Sequence, residues 1–102
     1  MSKKDLKRKI WKKTNGVCAH CGRAVSDCNR TIDHYVPKSF GGSFDQRNLV
    51  PLCRECNWER GNKIVEPKSY YKFAPMEVIF SCRSYERKWK RENCSMFEMA
   101  TT

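Results

Sequence analysis

The sequence predicts a small α+β fold: a strand–turn–strand segment followed by a helix, with one further helix on each side. Three observations carry that prediction. Two Cys-x-x-Cys pairs, Cys18/Cys21 and Cys53/Cys56, are separated by 31 residues. Two runs of strand-like composition lie between them, and apolar residues recur at helical spacing towards both ends of the chain. At 102 residues the chain is one domain, 1–102, and domains this short commonly need a staple beside the hydrophobic core.

Taken in order, residues 3–13 read as a helix, with Leu6, Ile10 and Trp11 on one side and Lys or Arg over the rest. Asn15-Gly16 ends it, because glycine supplies a left-handed turn at no steric cost. Cys18-Ala-His-Cys21-Gly22 is a knuckle whose two thiols can face one ion. Residues 30–36 are β-branched and aromatic enough for a strand stopped by Pro37. Ser39 to Ser43 form a turn, and Asn48 to Leu52 read as a second strand that Pro51 confines to an edge or end. Residues 53–60 follow as a helix closed by Gly61, and Pro67 marks a boundary. Val78, Ile79, Cys82, Tyr85 and Trp89 define a C-terminal helix over about 76–91, either as core or as a dimer seam, with core favoured. Residues 92–102 show no pattern and are a candidate for disorder.

The formal charge of +10 is that of a protein that binds polyanions. Residues 1–13 carry a net +6, residues 14–66 only +1 and residues 67–102 +3, so cations flank the middle of the chain. A solvated helix face is the alternative reading of the first few residues. No apolar run reaches bilayer length and the Lys-rich start lacks a signal-peptide core, so a soluble, intracellular protein with no membrane partner is expected: cytoplasmic, nucleoid-associated or phage-encoded.

The cysteine count is seven, an odd number, and in a reducing compartment two Cys-x-x-Cys pairs point to zinc rather than disulfides. Cys18, Cys21, Cys53 and Cys56 would give a closed tetrahedral thiolate set, the mark of a structural Zn²⁺ site. Asp33, His34 and Asn48 all lie inside the 31-residue interval, so one ion would clamp both ends of the segment that carries them. His20, inside the first knuckle, could replace a cysteine, but the favoured reading is an exposed loop residue.

Taken together, Cys18-x-x-Cys21, Ile32-Asp33-His34-Tyr-Val-Pro37-Lys38-Ser39, Gly41-Gly42, Asn48-Leu-Val-Pro-Leu-Cys53 and Cys56-Asn57-x-x-Arg60-Gly-Asn62-Lys63 resemble the HNH endonucleases, the ββα-metal or His-Me finger nucleases. The resemblance spans residues 18–63. It implies a zinc-stabilised ββα-metal core and a DNA endonuclease that leaves 5′-phosphate and 3′-hydroxyl ends. In its terms His34 is the general base, Asp33 and Asn57 hold a catalytic divalent cation, and Asn48 holds His34 in place. The third signature position, often His, is Asn57 here, making this an HNN version.

The residue types suit that chemistry in their own right. An imidazole near its ordinary pKa is neutral at pH 7 yet accepts a proton well. A carboxylate and an amide oxygen suit a hard cation, so Mg²⁺ or Mn²⁺ is expected ahead of Ni²⁺ or Zn²⁺. Alternate residues of a regular strand face opposite ways, so Asp33 and His34 can share a site only where the strand bends. Arg60, one turn beyond Asn57, is expected to hold a phosphate oxygen, and Lys38 and Lys63 to contact the DNA backbone. The competing class is a non-catalytic, zinc-stabilised nucleic-acid-binding module, which leaves Asp33, His34, Asn48 and Asn57 as coincidence. Double-strand cleavage would need two events or a homodimer.

Overall fold

A computed structural model of the chain describes residues 2–93. Helix α1 (Lys3–Lys12) starts at Ser2, whose hydroxyl accepts the Asp5 N–H at 3.1 Å. It buries Ile10 and Trp11, and the chain reverses through Asn15 and Gly16, both at positive φ. Strand β1 (Arg30–His34) pairs antiparallel with β2 (Leu49–Cys53), Arg30 lying opposite Cys53 and His34 opposite Leu49. Pro51 is accommodated opposite Ile32, and its carbonyl accepts Ala19 N–H at 2.9 Å, which attaches the first knuckle to the hairpin.

A two-stranded ribbon of this length is marginal by itself, so the helices must cover it. Helix α2 (Arg54–Arg60) continues directly from β2 and is closed by Gly61 at φ 60°. Helix α4 (Met76–Glu92) buries Val78, Ile79, Cys82 and Tyr85 in one cluster with Trp11, Tyr35, Val36, Val50, Leu52 and Tyr71. The C-terminal apolar stripe is therefore core. A short helix, α3 (Pro67–Tyr70), stands where the sequence marked only a boundary; Glu66 caps it by accepting Ser69 N–H at 2.7 Å. Glu92, expected to begin the tail, closes α4, and residues 94–102, including Cys94, lie outside the described residues.

The first strand ends two residues earlier than its composition suggests, because Asn48 takes over its hydrogen bonding. Tyr35 donates to the Asn48 carbonyl at 2.8 Å. The Asn48 side chain, wholly buried, accepts Val36 N–H at 2.7 Å and donates to Val36 O at 3.1 Å and Ser43 O at 3.0 Å. Gly42 passes so close that a Cβ would stand 1.7 Å from Val36 O, which admits no other residue. The Asn48 side chain, expected to hold His34, spends its hydrogen bonds on Val36 and Ser43 instead. Replacing Asn48 by Ala strands the two buried backbone groups of Val36 and the part-buried carbonyl of Ser43, and should lower stability by about 2–4 kcal/mol, read from urea unfolding.

Candidate active site and metal centre

The two knuckles bring four sulfur atoms together. The ligand atoms of Cys18, Cys21, Cys53 and Cys56 all lie within 4.8 Å of one another. Cys53 ends β2 and Cys56 lies in the first turns of α2, so the cluster joins the hairpin–helix junction to the loop after α1. Arg23 donates to Cys21 Sγ at 3.4 Å and Cys53 Sγ at 3.8 Å while its guanidinium pairs with Glu55 at 2.7 Å. Burial pushes the Cys18 and Cys56 thiols up, whereas at Cys21 burial is overcome by hydrogen bonds from Arg23, which draw the thiol down to about 6. Thiolates this close need a counter-charge, and a four-sulfur donor set matches a tetrahedral metal ion with no open position.

Strand β1 then divides the remaining chemistry between its two faces. Thr31 and Asp33 point towards α2. Asp33 is 4% exposed and forms an ion pair with the fully buried Arg60 side chain. Tyr71 O–H donates to the same carboxylate oxygen, Oδ2, at 2.7 Å. Arg60 also donates to His34 O at 3.0 Å, Tyr35 O at 2.5 Å, Lys63 O at 3.1 Å and the Tyr71 hydroxyl at 2.9 Å. Burial pushes the Asp33 carboxyl above its ordinary range, opposed by Arg60 and the Tyr71 hydroxyl.

Thr31 fixes the amide of Asn57. Its hydroxyl donates to Leu52 O at 2.6 Å, so it has only lone pairs left for Asn57, whose Nδ2 donates to it at 2.8 Å. The amide oxygen is thereby turned away from Thr31. Asp33 Oδ1 and Asn57 Oδ1 take no hydrogen bond among the described residues. On the α2 side of β1, Asp33 and Asn57 thus each keep one oxygen that no donor among the described residues engages.

Ile32 and His34 point the other way, into a cavity of about 440 Å³ shared with Lys3, Lys4, Lys7, Lys38 and Phe44. His34 meets Phe44 edge-on at 4.7 Å, and the Lys38 ammonium sits 4.5 Å over the same phenyl ring. His34 Nε2 is buried and has no hydrogen-bond partner. Burial first, then the charges of Lys38 and Arg60, lower the imidazole pKa. The ring is therefore a neutral base held among cations.

Two expectations need correction. Asp33 and His34 sit in an unbent ladder, opposite Val50 and Leu49, so strand alternation sends them to different faces rather than into one cavity. Arg60, expected at a phosphate, is an interior residue, because the adjacent buried carboxylate demands a charged partner. Lys38 does line the His34 cavity, and Lys63 lies on the surface beyond α2. The sequence reading omitted Thr31, Tyr71, Phe44 and Arg23. Of these, Thr31 was accessible, since residues two apart on a strand share a face; Tyr71 and Phe44 carry no local signal.

Hairpin, following helix and four-cysteine cluster have the form of a ββα-metal core, and residues 18–70 match the HNH endonuclease family. The chain belongs to that family. It is similar to the CRISPR-associated endonuclease Cas9 of Corynebacterium diphtheriae, with 40% identity over 65 residues covering 58% of this chain. Those residues span 6% of that relative's length. No helix among the described residues is long and apolar enough to cross a membrane.

Because Arg60 neutralises a buried carboxylate, Arg60→Met should cost about 3–5 kcal/mol in urea unfolding. The double change Asp33→Leu with Arg60→Met should cost less than Arg60→Met alone, since no unpaired charge is then buried. A larger loss in the double variant would show that the pair is not the source of the effect.

Proposed function

We propose that the chain is a metal-dependent endonuclease that hydrolyses DNA phosphodiester bonds with His34 as general base. One observation carries this reading: a neutral imidazole, with a buried and unpartnered nitrogen, faces a cavity ringed by lysines. A catalytic base requires a nitrogen free to accept a proton, and a phosphodiester requires cations beside it. A structural histidine at such a position would instead have both nitrogens satisfied. A non-catalytic binding module accounts for the cations but leaves that nitrogen without a purpose.

In the proposed reaction His34 takes a proton from water as the water oxygen bonds to phosphorus. The bond to the 3′ oxygen breaks, and that oxygen takes a proton from solvent. Lys38 and the α1 lysines offset the charge gathering on the phosphoryl oxygens. The four cysteines hold structural zinc. Asp33 and Asn57, through the oxygens no donor takes up, are the residues that would hold a divalent cation, Mg²⁺ or Mn²⁺. Such an ion supplies Lewis acidity towards phosphate oxygens. The base and these two oxygens lie on the two faces of one strand end. One base serves one phosphodiester per encounter, so a nick is the expected first product.

Supercoiled plasmid incubated with Mg²⁺ or Mn²⁺ should be nicked by the wild type, with His34→Ala slower by about 10²–10⁴-fold. Equal cutting by the variant would remove His34 from the role. Because burial, Lys38 and Arg60 all depress the imidazole pKa, its base form persists to lower pH than usual. The rate should therefore fall on the acid side with a midpoint below about 6.5. Thr31→Val keeps the side-chain shape but frees the Asn57 amide to turn. It should raise the Mg²⁺ or Mn²⁺ concentration for half-maximal cutting by about 10–100-fold, read from metal titrations.

A further inference from the structure

Helix α1 is basic far beyond what folding requires. Lys4, Arg8 and Lys12 stand four residues apart, which places them in one stripe, and all three are exposed. None has an ion-pair or hydrogen-bond partner among the described residues. Like charges at this spacing weaken a helix. Asp5, the acid of α1, lies in its first turn and off this stripe.

The stripe borders three cavities that adjoin one another through shared wall residues. The His34 cavity shares Lys4 and Lys7 with a second one of about 60 Å³. That one shares Arg8 and Arg30 with a third of about 410 Å³, which reaches Lys12. The acid along the path is Asp27, and it lies 3.7 Å from Arg30. The helix is also anchored with respect to the base. Trp11 Nε1 donates to Thr31 O at 2.8 Å, and Lys7 Nζ donates to Asp27 O and Arg30 O at 3.2 and 3.3 Å. Lys13 Nζ donates to Gln46 O at 2.6 Å and Leu49 O at 3.0 Å.

From this adjacency we infer that the outer face of α1 is a track for a nucleic-acid backbone, leading one strand into the His34 cavity. The inference rests on the reading of His34 as the base and extends it to the route of the substrate. The ten residues of α1 span about 15 Å, room for about four phosphates of one duplex strand at a rise of about 3.4 Å. Contacts of this kind position a strand and carry no sequence information. An anionic membrane is the weaker match. Ile10 and Trp11 are buried and Leu6 lines the His34 cavity, so the stripe has no apolar residue beside it to insert.

The test uses the full chain and a fluorescein-labelled mixed-sequence duplex, with its single strand as a second probe, followed by anisotropy across a salt series. Wild type is compared with a variant carrying Lys4→Gln, Arg8→Gln and Lys12→Gln. The control loses the same charge elsewhere through Lys72→Gln, Arg87→Gln and Arg91→Gln. Each lost phosphate contact flattens the plot of log affinity against log salt by about 0.9 on duplex and about 0.7 on single strand. The α1 variant should therefore flatten the duplex slope by about 2–3, and the control by less than about 1. A wild-type slope in the α1 variant, or an equal loss in the control, overturns the track. So does a variant that loses binding to phosphatidylserine vesicles while keeping its hold on both nucleic acids. The α1 variant should melt at or above the wild-type temperature, since repulsion is removed; a clearly lower melt would make the stripe structural and sink the proposal. His34→Ala separates the two readings. It should bind with the wild-type slope, and if it also cuts normally the base assignment fails while the α1 slopes still judge the track.

Discussion

Four sulfur atoms drawn into one cluster set the frame in which every other side chain is placed. The sheet has two strands of five residues each, and a ribbon of that size has little stability of its own. The cluster joins the loop after α1 to the junction of β2 and α2, so the helix that carries Asn57 cannot drift from the strand that carries Asp33. Arg23 adds a positive charge beside two of the sulfurs and is itself balanced by Glu55. The cluster thus ties helix to hairpin together with the apolar core, to which Cys18, Cys53 and Cys56 also belong.

Within that frame, the two-residue repeat of β1 produces two environments of opposite character. On the α2 side a carboxylate is buried with a guanidinium and a phenol, which both engage its Oδ2 and leave Oδ1 without a donor. On the α1 side an imidazole with a free nitrogen stands among ammonium groups and next to an exposed phenyl ring. The first arrangement stores charge where water does not reach. The second leaves charge unbalanced where a polyanion can. That contrast, more than the net charge, distinguishes the two faces of the hairpin.

Much of this was legible in the residues themselves. The spacing of Cys18, Cys21, Cys53 and Cys56 gave the cluster, because ligand chemistry restricts both residue type and interval. Helical periodicity found α1 and α4, and Gly61 marked the end of α2. The limits came where tertiary packing decides. Arg60 was placed correctly on its helix but read as a surface residue, since local sequence does not reveal a buried carboxylate facing it. The pairing of Asp33 with Tyr71 joins residues 38 apart. The cavity around His34 likewise needs α1 folded back over the hairpin, which no local pattern specifies. The strict alternation of β1 was anticipated as an obstacle to a shared site, and the ladder does keep Asp33 and His34 apart.

The loop between the strands is closed at its base by one buried amide, Asn48, and by the close passage of Gly42 against Val36. What lies beyond that closure, including Lys38 and Phe44, projects from a fixed collar. The same loop is held from the other side by α4, where Trp89 Nε1 donates to Phe40 O at 2.8 Å and the Tyr85 hydroxyl accepts Ser43 N–H at 2.9 Å. The segment that carries Lys38 and Phe44 is therefore seated at both ends, like a span resting on two piers, and a change in it is felt by α4 as well as by the strands.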